Sequence, residues 1–198
     1  MQKIFYVTFS SIPSELPSSL QIIKTCESFV KNNYDVTLIK PATGLKNITI
    51  KKFYDLKYHV NINEFKLVKN FPRGLDFYFF SVYCLFTILK NKKSITITRN
   101  YFTCFLLTLF NKKVVLEIHH DTNVEGRITK FILRYFNFLN SEYLINIVAI
   151  TKSVKKLFIS KYKVHKKKIT VLPSGSSIVI KKKKKPFNNK IKVGYFGS

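Results

Sequence analysis

Residues 114–121 read VVLEIHHD, an apolar run that delivers a carboxylate, two imidazoles and a second carboxylate in close succession. Imidazole beside carboxylate can move protons or stabilise developing charge. In an extended strand, side chains two apart share a face, so Glu117 and His119 lie together and His120 points away. From the residues alone His119 is either an imidazole delivered into a cleft or a loop histidine with a satisfied hydrogen bond, and His120 a bystander. Glu117 reads as its brace, because a buried carboxylate needs a partner. Asp121 can orient an imidazole or cap the next segment. Other apolar runs also close on polar residues. KIFYVTF ends at Ser10 and Ser11, KSITITR at Arg99, and NIVAIT at Thr151 and Lys152. Arg99 suits a phosphate or another anionic group, and Ser153 reads as a helix cap. The acidic spacing E-x3-D-x3-E around 117–125 fits no recognised ligand pattern, so no metal is expected. Cys26, Cys84 and Cys104 lack CxxC spacing and read as small core residues in a reducing cytoplasm.

The charge balance is extreme, with 35 Lys and Arg against 10 Asp and Glu, a formal +25. Such a field draws anionic partners. Only four of these residues are Arg, and the chain has no Trp and one Met. A lysine-, asparagine- and isoleucine-rich composition is how an AT-biased genome spells ordinary positions. Bidentate recognition of bases favours Arg, so specific nucleic-acid binding is not expected, and an anionic membrane surface is the expected partner of the charge. The run MQKIFYVTFSS is too short for a signal peptide and reads as a first strand. The longest apolar tract, 75–89, is shorter than a spanning helix and reads as a buried or membrane-surface helix.

Positioning these residues requires strands that end in one cleft. Strands are expected at 3–9, 35–40, 47–53, 65–71, 93–99, 112–118, 146–151 and 167–173 from their apolar and β-branched runs. Helices are expected from Ser18 or Ser19, as caps, to about 31, and at 74–90, 101–110, 126–140 and 152–162. The alternation predicts a doubly wound, Rossmann-like, mostly parallel α/β sheet of about seven strands. Ligands in such sheets bind beyond the carboxyl ends of the strands. That is where His119, Ser10, Ser11, Arg99, Glu117, Asp121, Thr151 and Lys152 are expected.

Past residue 173 the chain changes character. PSGSSIVIKKKKKPFNN, 173–189, reads as a linker with a hinge turn at Pro173–Gly175, and KIKVGYFGS as a fresh strand with a Gly-Ser exit. Half a β-α unit seldom ends a domain, so the chain reads as cut short at the start of a second one.

The order of DVTLIK, ITITRN, VVLEIHHD, IVAITKSVKKLFI, KITVLPSGSSI and KVGYFGS resembles the N-terminal half of glycosyltransferase family 4, the retaining enzymes of GT-B fold. The resemblance implies an N-terminal acceptor-binding domain at 1–173, an interdomain linker at 174–189, and at 190–198 the first strand of a missing nucleotide-sugar domain. It implies transfer of a sugar from a nucleotide-sugar donor to a cell-envelope, lipid-linked or polysaccharide acceptor. The catalytic role falls on His119, which matches the family's histidine after this strand; Ser10 and Ser11 fall where acceptor loops lie. No cofactor or metal is implied, since metal-dependent relatives of another fold use D-x-D and this chain has none. The location implied is cytoplasmic, peripheral to the inner face of the plasma membrane. Two departures stand out. SSIPSELPSS has no glycine where the family's first loop is glycine-rich, and serines occupy the interdomain motif at Ser174, Ser176 and Ser177. Without its second half the chain alone is expected to be inactive. The competing expectation is a non-catalytic basic α/β module that binds nucleic acid or anionic membrane.

Overall fold

The computed structural model describes residues 1–43, 47–66, 74–122 and 125–173, with 47–49 described by backbone alone. In chain order the elements are β1 (Lys3–Val7), α1 (Pro17–Lys31), β2 (Asp35–Pro41), α2 (Asn47–Phe53), β3 (Asn61–Phe65), α3 (Asp76–Leu89) and β4 (Ser94–Thr98). There follow α4 (Tyr101–Leu109), β5 (Lys113–Ile118), α5 (Arg127–Tyr135), β6 (Leu144–Ala149), α6 (Lys152–Tyr162) and β7 (Ile169–Val171). The strands form one seven-stranded sheet in the order β3-β2-β1-β4-β5-β6-β7, and every neighbouring pair is parallel. All carboxyl ends therefore lie on one edge. The strand order reverses between β1 and β4, which opens the crevice that such sheets use for ligands.

Two apolar cores flank the sheet. On one face Ile22, Ile23 and Cys26 of α1 and Ile50 of α2 pack on Ile4, Tyr6, Leu38 and Ile97. On the other, α3 to α6 supply Phe80, Ile88, Cys104, Leu107, Ile132 and Phe158 against Phe5, Val7, Leu116 and Ile147. The three cysteines are buried and free, and burial pushes each thiol up. Structural buried cysteines behave this way.

Three expectations are corrected. NITIKKF, expected as a strand, is helix α2. Its β-branched residues favour a strand locally, but Ile50 and Tyr54 are both buried four residues apart with Lys51, Lys52 and Phe53 exposed between them, and tertiary burial at helical spacing outweighs a weak propensity. A strand not expected before residue 65 is β3, Asn61–Phe65, while of the strand expected at 65–71 residues 67–71 lie outside the described residues. NINEF pairs only with β2 at the sheet's edge and stays half-exposed, so nothing required it to be apolar. The cap of α1 is not serine: Leu16 occupies it, and Pro17 begins the helix, where a missing N–H costs nothing. Ser19 is instead buried, donating to the Ser11 carbonyl at 3.0 Å. The expected linker and second-domain strand at 174–198 lie outside the described residues.

The glycine-free loop after β1 is tied down by side chains. Ile12 is fully buried, and its carbonyl accepts from the Thr43 hydroxyl at 3.2 Å. The Tyr54 hydroxyl accepts from the Ser14 amide and donates to the Ser14 carbonyl, both at 2.8 Å.

Ile50→Ala is expected to destabilise the fold by about 2–4 kcal/mol through the cavity it leaves, whereas Lys51→Ala should stay within about 0.5 kcal/mol. Urea unfolding of the two variants checks this; equal losses would contradict the helical burial of α2.

Candidate functional site

Three strands converge on one carboxylate. Arg99 follows β4, Glu117 is the penultimate residue of β5, and His119 follows β5. The parallel register sets Tyr6 of β1 beside Ile97 of β4, and Ile97 beside Val115 of β5. Tyr6, Arg99, Glu117 and His119 thus share the α1 face at the carboxyl edge, by alternation from those paired positions. The Tyr6 hydroxyl donates to Glu117 Oε2 at 2.8 Å. Arg99 Nε donates to the same oxygen at 2.8 Å. His119 Nε2 lies 3.7 Å from it, ion-pair range for a protonated imidazole but longer than a hydrogen bond.

Burial alone would raise the Glu117 carboxyl; the His119 imidazole, the Arg99 charge and the donated hydrogens of Tyr6 and Arg99 more than reverse it, so it sits below the ordinary carboxylate range. The Tyr6 phenol is pushed well up, first by burial and then by the negative charge of Glu117. Tyr6 is therefore a fixed donor. Arg99 Nη2 is buried and has no hydrogen-bond partner among the described residues. A charged donor left so is costly and marks a place where a ligand oxygen would be welcome.

The other expected residues sit around this centre or away from it. Ser10 is half-buried beyond β1, its amide donating to the Thr8 hydroxyl at 3.1 Å. Ser11 is exposed beside it and holds Ser19 through its carbonyl. Thr151 caps α6, its hydroxyl accepting from the Val154 amide at 3.1 Å, so the cap read at Ser153 belongs to Thr151. Lys152 is exposed at the first turn of that helix. Asp121 does not touch the imidazole of His119. It accepts from Lys161 at 2.9 Å, and that lysine, with the Thr122 amide, holds its carboxyl below the ordinary range. His120 turns to Glu125, 3.7 Å away.

Sequence reasoning missed Tyr6, whose partnership needs the strand order to be known. It also missed Lys40, fully buried at the end of β2. Lys40 lies directly across from Glu64 of β3 and donates to its carboxylate at 2.5 Å and to the Pro41 carbonyl at 3.2 Å. A lysine inside an apolar run was the available signal, since that residue type is almost never fully buried without a partner.

No family model and no curated protein matches the chain. Solved structures do. Anabaena Alr3699/HepE, solved in complex with UDP and glucose, superposes with a TM-score of 0.61 at 12% identity over 90% of this chain and 46% of that one. A putative UDP-N-acetylglucosamine 2-epimerase from Listeria monocytogenes gives 0.60 at 9% identity, over 85% and 44%. The lipopolysaccharide outer core galactosyltransferase WaaB gives 0.57 at 14% identity, over 91% and 47%. The fold is that of a GT-B N-terminal domain. The chain spans a little under half the length of these GT-B structures, and at such identities the likeness is one of fold.

Removing the charge with Glu117→Gln leaves Arg99 without its partner, and a loss of about 2–3 kcal/mol is expected. Because the folded carboxyl is depressed, its contribution is fully present above about 4.3, the ordinary glutamate value, and disappears as pH falls through the lower folded value. Wild-type stability should therefore decline in that acid window more steeply than that of the variant. Parallel slopes in denaturant titrations across the window would contradict the buried pairing.

Proposed function

We propose that this chain is the acceptor-side half of a retaining glycosyltransferase of family 4 type, moving a sugar from a nucleotide-sugar donor to a cell-envelope, lipid-linked or polysaccharide acceptor. The single observation that carries this reading is the placement of His119. It stands at the carboxyl edge of β5, one strand from the strand-order reversal, with Glu117 bracing it and Arg99 offering at Nη2 a buried donor without a partner among the described residues. In the reaction His119 lies against the transferred sugar and shares in charge stabilisation or proton traffic at the acceptor hydroxyl. Glu117 keeps the imidazole oriented. Arg99, through Nη2, binds a phosphate or another anionic oxygen of the acceptor. Ser10 and Ser11 line the acceptor side, and Thr151 and Lys152 border it. The departing diphosphate meets cationic groups and helix N-termini rather than a metal, and the nucleotide sugar is held by a further domain. The solved structures with this half-fold, one of them holding UDP and glucose, support the donor class; the lipopolysaccharide enzyme supports the acceptor class.

The location proposed is the cytoplasmic face of a membrane. No helix among the described residues is long and apolar enough to cross one. Helix α3 carries no charged side chain after Asp76, and beside its buried face it leaves Val82 and Phe86 exposed, Phe86 by 62%. A largely apolar helix on a basic protein suits an anionic bilayer, where each nearby lysine adds about 1 kcal/mol.

His119→Ala in the protein that carries this chain should lower sugar transfer at least about 100-fold with the melting temperature unchanged. Near-normal turnover would remove His119 from the chemistry. Binding that ignores sugar nucleotides and falls steeply with salt would favour the non-catalytic alternative. For the location, Val82→Ser with Phe86→Ser should cut co-sedimentation with phosphatidylglycerol vesicles severalfold, a change of roughly 1–2 kcal/mol; unchanged binding would contradict it.

A further inference from the structure

Beyond the strand-edge cluster a concavity of about 820 Å³ lies between the ends of α5 and α6. None of Tyr6, Arg99, Glu117 or His119 lines it. Its volume falls in the range of small-molecule sites. Its floor is apolar, formed by the buried Leu133 and Leu139. Its walls carry Lys130, Arg134, Lys161, Lys163 and His165, and no carboxylate is among the lining residues. Lys161 pairs with Asp121 at 2.9 Å, and Lys130 is near enough to Glu125 for each to feel the other's charge. Several like charges facing one concave space repel each other and focus a positive potential into it.

The walls are built, not draped. Asn140 Nδ2 donates to Asn137 Oδ1 at 2.7 Å and to the Lys163 carbonyl at 3.3 Å, and the His165 amide donates to Asn140 Oδ1 at 3.1 Å. These bonds lock the 3-10 turn Phe138–Asn140 to the chain leaving α6. Lys163 there adopts the left-handed conformation, with φ of 54°. A non-glycine residue held so is uncommon. On the α5 side the rim is aromatic. Tyr135 and Phe136 line the concavity and are also exposed, and the Arg134 guanidinium sits 5.7 Å from the centre of the Tyr135 ring. Cationic walls over an apolar floor, with amphipathic rings at the rim, are chemistry for a phosphate joined to an organic group.

We infer that the concavity between α5 and α6 is a second binding site, for a phosphate-bearing ligand, set apart from the His119 cluster. Arginine and lysine donate charge-assisted hydrogen bonds to phosphate oxygens, and the tyrosine and phenylalanine rings cover the attached group. The same chemistry serves a phospholipid headgroup or a free phosphate ester. The site does not depend on the glycosyltransferase reading.

The test uses the full chain, isotope-labelled for NMR titration with inorganic phosphate and glycerol 3-phosphate. A parallel arm measures co-sedimentation with vesicles of equimolar phosphatidylcholine and phosphatidylglycerol. Arg134→Gln with Lys163→Gln should weaken binding roughly tenfold or more. Lys51→Gln with Lys52→Gln, which removes the same charge from the exposed side of α2, should change it by less than about twofold. Shifts with soluble phosphate that centre on Lys130, Arg134 and Lys163 identify a free phosphate ester as ligand. Binding confined to the vesicles, and weakened by the same pair of substitutions, identifies the headgroup. Equal weakening by both pairs would mean that net charge alone acts, and would overturn the site. So would unchanged binding in an Arg134→Gln, Lys163→Gln variant of normal melting temperature, which would assign these cations to the helix ends alone. His119→Ala should leave binding intact, so failure here and failure of the transferase reading register separately.

Discussion

A carboxylate largely buried in a parallel sheet must find partners, and Glu117 finds them at the ends of three strands. The phenol of Tyr6 donates from β1 and the guanidinium of Arg99 from the end of β4, while the imidazole of His119, at the end of β5 itself, stands at ion-pair distance, 3.7 Å away. Without them, desolvation would drive the group neutral. With them it is held charged, and the three chain segments that carry candidate ligand-binding groups are fixed to one another. The cost of burying the charge and the geometry of the cleft are therefore one constraint. It acts where the strand order reverses, the position at which a doubly wound sheet has room for a ligand.

The same logic recurs one strand out on the other side. Lys40 of β2 and Glu64 of β3 are directly opposed in the register and close a second, partly buried ion pair at the same edge. Tyr54, Thr43 and Ser19 then bind the backbone of the loop that follows β1. A glycine-rich loop could bring backbone close to a ligand. Here side-chain hydrogen bonds shape the loop instead, and Ser10 and Ser11 are presented on it. Both edge pairs contribute order more than net stability, since a buried ion pair roughly balances its own desolvation.

The second face of the sheet has a different character. Helices α3, α4 and α5 cover it and meet through a chain of rings, with Tyr78 and Phe102 at 4.8 Å, Phe105 and Phe136 at 5.0 Å, and Phe131 and Tyr135 at 4.7 Å. The inner rings finish the core, whereas Phe131, Tyr135 and Phe136 remain about half exposed or more. A lysine-rich composition by itself says little about partners. Cations set beside exposed rings, or gathered round a concavity, say more, because position rather than number decides what a charge can touch.

Much of this was legible in the sequence. Apolar runs at strand and helix spacing gave the parallel α/β sheet, and the polar residues that close those runs marked the carboxyl edge, because chain direction alone puts them there. His119 and Glu117 were readable as a pair, since alternation depends only on local geometry. What the sequence could not give was anything set by strand order. Tyr6 precedes Glu117 by 111 residues, and nothing local says that β1 lies next to β4. Asp121 looked like a partner for an imidazole, yet the fold hands it to Lys161, 40 residues on. NITIKKF has the residues of a strand and became a helix that buries Ile50 and Tyr54 while leaving Lys52 exposed between them, a pattern that strand alternation would not give. Local sequence determined which residues reach the edge; tertiary packing decided which of them meet, because contact across a sheet depends on neighbours that the chain itself does not place side by side.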